Sequence, residues 1–189
     1  NSREEGIFLS DSDYFETPLG LIKTDKELGE ELESCSTSIA FHDIPHLHEH
    51  ALEVLLPFVS FCFPQATIVP ILAGGYRASL SVALAHALEL VFADRMESTL
   101  FVVSSNFTEN TGNKEIIGQG NCMLDHILNK DPDAIFKGMK NSTIQACGAV
   151  VCAAALSCRL FDDSTVRVIA KQESGSESTS VQYAAICFE

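Results

Sequence analysis

The strongest constraint in this sequence is a repeated change of period along the chain. Apolar, β-branched runs give way to stretches whose apolar residues recur every three to four positions, and the alternation then resumes. The runs from Thr37 to Phe41, Thr67 to Leu72, Thr99 to Ser104, Thr165 to Ala170 and Val181 to Phe188 read as strands. Several are almost continuously apolar, the pattern of strands covered on both faces. Helical spacing covers Asp25 to Ser34, His48 to Phe63, Arg77 to Asp94, Asn121 to Lys130 and Cys147 to Leu160. Strands that alternate with helices imply an α/β fold, a largely buried mixed sheet flanked by helices. The Ser-rich stretch 175–180 reads as a loop before the last strand, and no repeat or linker divides residues 1–189, so a single domain is expected.

Charge narrows the partners. With a formal net charge of −14 and only 12 Lys and Arg, the chain is a poor match for nucleic acid or for an anionic membrane surface. No apolar run reaches the roughly 18 residues of a membrane span, and NSREEGIF is no signal peptide. Seven cysteines, an odd number without a CxxC pair, suit buried or functional thiols in a reducing cytoplasm.

Three stretches carry candidate chemistry. The first, HLHEHALEVLLPF (46–58), puts three histidines and two glutamates at the mouth of a helical pattern. Leu52, Leu55, Leu56 and Val59 form its apolar face, the glutamates favour a helix start, and Pro57 should kink or end the helix. His46, His48, Glu49 and His50 also satisfy H-x-x-E-H, the inverted zinc-peptidase pattern, but no downstream residue supplies a convincing further ligand. A solvated first turn on a core helix is the competing reading.

The second stretch, TLFVVSSNFTENTG (99–112), reads as a buried strand ending in a polar loop. Strand ends of this kind bind ligands in open α/β sheets. Glu109 could serve as ligand or base and Asn106 could orient a substrate; an Asn chosen for turn geometry is the alternative. In the third, IQACGAVVCAAAL (144–156), Cys147 and Gly148 open an Ala-rich helix, where a thiolate is favoured by the helix N-terminus. Cys152 and Cys158 lie deeper and read as small core residues, which is also the bland reading of Cys147.

Six segments in order, YFETPLGLIKTD (14–25), HEHALEVLLPF (48–58), ATIVPILAGG (66–75), TLFVVSSNF (99–107), STIQACGA (142–149) and SVQYAAICF (180–188), resemble Memo-like proteins, the group that includes AmmeMemoRadiSam system protein B. That resemblance implies a fold like the class III extradiol dioxygenases (LigB-type), with a metal-site-like pocket at the end of the sheet. It implies redox chemistry with iron or copper, zinc being the weaker choice. The family's EHS-type helix start corresponds to Glu49, His50 and Ala51, with Glu53 one turn on, and its pocket cysteine corresponds to Cys147. The family's D-F-x-H segment is altered here, with Asn106 for Asp and Glu109 for His. Its H-A-G-Y and S-H-H segments have no counterpart, so the chain resembles the later two thirds of the family domain and lacks its N-terminal portion.

The resemblance therefore assigns Cys147, Glu109 and His50 as metal ligands, His50 and Cys147 as catalytic groups, and Asn106 and Glu53 as substrate contacts. His50 is expected to face the pocket, with His46 and His48 as solvated neighbours. The alternative is a non-catalytic binding or adaptor member that holds a small molecule or peptide in a degenerate pocket. Missing strands would expose apolar surface, so an N-terminal partner fragment or a homo-oligomer is expected.

Overall fold

The computed structural model describes residues 4–106, 114–144, 146–176 and 179–189, with only the backbone at 48, 114–120, 173–176 and 179–182. The chain is a mixed α/β fold and divides into two compact units, Asn1–Ser104 and Ser105–Glu189.

In the first unit a three-stranded sheet is built around β1 (Gly6–Leu9), all four residues of which are buried. On one side β1 pairs in parallel with β4 (Ile39–Phe41), and on the other antiparallel with β5 (Ile71–Gly74). A parallel pair needs a crossover. The chain supplies it through the hairpin β2 (Tyr14–Thr17) and β3 (Gly20–Lys23), then α1 (Lys26–Cys35). The Thr17 hydroxyl closes the hairpin turn, accepting from Leu19 N at 3.1 Å and donating to Gly20 O at 2.9 Å. Asp25 caps α1 by accepting from Leu28 N at 3.2 Å. A Cβ on Gly29 would lie 2.8 Å from the Phe41 ring, so glycine is what lets α1 lie close on β4. α3 (Ala78–Phe92) buries Leu80, Leu84, Leu88 and Val91, and Arg95 beyond its end holds Glu31 of α1 through two bonds of 2.9 and 3.1 Å.

Three expectations for this unit need correction. The predicted helix from His48 to Phe63 is broken: a 3-10 turn spans Pro45–His48, hydrogen-bonded turns follow, and α2 covers only Leu56–Cys62. Pro57 explains it, because a residue without an N–H belongs in a first helical turn and not in an interior. The strand expected from Thr67 to Leu72 starts later, at Ile71, leaving Ile68 in an isolated bridge to Thr24; Pro70 cannot donate to a ladder. The run from Thr99 to Ser104 joins no strand ladder among the described residues. Phe101 packs against Phe92 at 5.2 Å, while Leu100, Val102 and Val103 are exposed.

The second unit packs α4 (Lys114–Leu128), α5 (Pro132–Lys140) and α6 (Ala149–Ser157) with the hairpin of β6 (Val166–Ser176) and β7 (Thr179–Phe188). Its core gathers Met123, Ile127, Ile135, Ile144, Ala146, Ala149 and Cys152, with Val166, Ile186 and Phe188 of the hairpin packed against it. Thr165 and Glu189 exchange backbone bonds at the hairpin's open end, and Arg167 pairs with the Glu189 carboxylate at 2.7 and 3.1 Å. Among the described residues the strands thus fall into three small sheets of three, two and two strands, where one buried sheet was expected. No helix among the described residues is long and apolar enough to cross a membrane.

Candidate functional site

The first unit holds a cleft of about 420 Å³ lined by Phe15, Glu16, His46, Leu47, Glu49, His50, Leu52, Glu53 and Leu56. Local chain geometry makes it. The Asp43 carboxylate accepts from Ser10 Oγ at 2.7 Å and from Asp11 N at 3.0 Å, tying the 3-10 turn to the end of β1. That turn brings the half-buried His46 ring against the Phe8 carbonyl, with Nε2 at 3.1 Å. A carbonyl only accepts, so Nε2 carries the proton and the neutral ring keeps its lone pair on Nδ1. This Nδ1 is buried and has no hydrogen-bond partner. Burial pulls the ring's pKa below the ordinary histidine value, outweighing the Phe8 carbonyl and Asp43, which favour the charged form.

His50 and Glu53 line this cleft, and both are exposed. Glu49 turns back to accept from Ala51 N at 3.0 Å, so it also shapes the turn that leads toward α2. His46, expected to be a solvated neighbour, is instead the anchored imidazole of the cleft. No local pattern distinguishes it from His50. Its role follows from the position of Phe8, which is 38 residues away in sequence.

The second unit brings together Asn106 and Cys147, singled out from separate stretches. Asn106 N donates to Cys147 Sγ at 3.3 Å. Gly148 N donates to Ser105 Oγ at 3.0 Å, and that hydroxyl donates to the Asn106 carbonyl at 2.9 Å. Cys147 is half-buried beside Gly148, the N-cap of α6. Ser105 is the residue that sequence reasoning passed over, although it stands in the SSN run at the end of the apolar stretch. One turn into α6, burial pushes the Cys152 thiol up to about 12, with a Ser105 hydrogen bond opposing. Cys152 is therefore an un-ionised core thiol, as its place in the pattern implied.

Glu109, the expected carboxylate ligand, lies outside the described residues. His50 and Cys147 belong to different units, each described by itself. Thiolate, imidazole and carboxylate are the right donor types for iron, copper or zinc. Yet among the described residues no three His, Cys, Asp or Glu side chains gather closely enough to hold an ion. The described donor set does not by itself fit a metal.

Compared with known families, the chain matches Memo-like protein over residues 2–187. The chain belongs to the Memo-like family. Curated relatives carry the name MEMO1 family protein. One from Caldivirga maquilingensis is 27% identical over 182 residues, covering 94% of this chain and 64% of that protein. One from Aeropyrum pernix is 30% identical over 168 residues, covering 88% of this chain and 60% of that protein. One from Thermotoga petrophila is 27% identical over 134 residues, 71% of this chain and 48% of that protein. This Memo-like chain thus spans less than two thirds of the length of each of these relatives.

Proposed function

We propose that this Memo-like chain contributes one part of a metal-assisted redox pocket, with Cys147 as its soft donor. The observation that carries this reading is the Asn106–Cys147 contact, with the thiol held beside the N-cap glycine of α6. In this reading Glu109 is a further donor and Asn106 meets the substrate; the resemblance also assigns His50 as a donor and Glu53 as a substrate contact, and both line the first unit's cleft. An iron or copper ion, or less favourably zinc, would supply one-electron or oxygen chemistry when bound. The chain's own residues hold the thiol, through Asn106 N–H, and fix the loop that carries it, through Ser105 and Gly148. Because the described donors are too few, completion of the site requires groups beyond them, on this chain or on a partner fragment or second copy. The reading places the chain in the cytoplasm, where thiols stay reduced.

Anaerobic titration with Fe(II) and Cu(I), run beside Cys147→Ala, tests the donor role. Stoichiometric binding that disappears in the variant supports it. Binding that survives in the variant, or is absent from both proteins, removes it.

The second reading is a binding or adaptor member that works without turnover, and the cleft supports it. Its volume falls within the range of small-molecule sites, and its lining includes apolar Phe15, Leu52 and Leu56 as well as Glu16, Glu49 and Glu53. That lining suits a small molecule or peptide bearing an amine beside an apolar group. Alkylamines should shift the ring NMR signals of His46 and His50; unchanged signals at saturating amine would rule the reading out.

A further inference from the structure

Cys122 and His126 stand four residues apart on α4, so their side chains share one helical face. Cys122 Sγ lies 3.3 Å from His126 Nε2, and both residues are half-buried. None of the pocket readings uses either residue. The other thiols have different surroundings. Cys152 and Cys158 are buried, Cys62 is exposed on α2, and the Cys35 thiol donates to the Glu31 carbonyl at 3.2 Å, a group that cannot take its proton. An imidazole can.

We propose that Cys122 is a peroxide-oxidised modification site, activated by His126 as its general base. With the ring proton on Nδ1, Nε2 accepts the S–H proton as sulfur attacks one oxygen of a hydroperoxide. The S–O bond forms, the O–O bond breaks, and the leaving oxygen takes the proton back from the imidazolium. For hydrogen peroxide the balance is thiol plus H2O2 giving sulfenic acid plus water. A positive charge stands nearby on the adjacent strand, where Lys171 Nζ meets the side chain of the preceding residue, Asn121, at 2.6 Å. Cys122 is half-buried and packs against the Met123 and Ile127 core. Oxidation would place a polar oxygen at the margin of that core.

The test treats the full chain with limiting hydrogen peroxide and a sulfenic-acid trap, then reads labelling at each cysteine by mass spectrometry. Cys62 is the internal reference, because it is the more exposed thiol. Cys122 should label at least about tenfold faster than Cys62, a conservative share of what general-base assistance supplies. His126→Gln should remove that advantage and leave the Cys62 rate unchanged. Equal rates at the two sites in the unaltered protein overturn the proposal without recourse to any variant. An undiminished Cys122 rate in His126→Gln overturns it as well.

Discussion

The His46 ring donates from Nε2 to the Phe8 carbonyl and buries a bare Nδ1, so a proton added there enters a place with no partner and little water. Its pKa is lowered in the folded chain. The sign follows by linkage: below the ordinary imidazole value of about 6.5, the unfolded chain binds a proton that the folded chain refuses. The contribution of His46 is therefore intact above that pH, declines as pH falls below it, and levels off once the folded ring also protonates. Urea unfolding at pH 7 and pH 5 should show a smaller loss of stability in His46→Phe than in the unaltered protein. An identical loss in both would mean that the ring is not held neutral. Residue identity was the least legible scale in this sequence. His46, His48 and His50 share one short stretch, and the choice of anchored ring was made by a strand 38 residues earlier.

Elements were legible wherever their own residues set the boundaries. The helical period from Asp25 to Ser34 gave α1 nearly as expected and an apolar run gave β4, but β6 and β7 extend beyond their apolar runs into the 175–180 stretch expected as a loop, where Gly175 pairs with Ser180. α5 was missed, although Asp131 before Pro132 is a helix-start signal: Asp131 accepts from Ala134 N at 2.9 Å. Asp131→Ala should cost about 1 kcal/mol in thermal or denaturant unfolding, the usual value of a lost cap. At the other end of α5, Thr143 N and Ile144 N both donate to Gly138 O, folding the chain back across the helix. A Cβ at Gly138 would lie 2.6 Å from Ile144 Cδ1, and Ile144 is fully buried with no room to yield. Gly138→Ala should therefore destabilise by about 1–3 kcal/mol through overpacking, despite the better helix propensity of alanine. A neutral or stabilising effect in calorimetry would show that the turn relaxes freely.

At the scale of the whole molecule, the first unit leaves unusual apolar surface uncovered. On α2, Phe61 is 78% exposed and Phe58 68%, and in the unpaired run Leu100 is 65% exposed. Apolar exposure on this scale favours association. Sedimentation of the isolated chain should show a mass that rises with concentration, and a well-behaved monomer across the range would refute the expectation. The sequence by itself determined the α/β class, the family, and the helices and strands whose period and caps are local, because those signals depend on neighbours a few residues apart. Tertiary structure alone decided which strands found ladders. The residues from Thr99 to Ser104 have every β-forming property, but a strand exists only where another backbone accepts its hydrogen bonds. It also decided which imidazole was anchored and that Asn106 would meet Cys147, since both contacts join residues far apart in the chain.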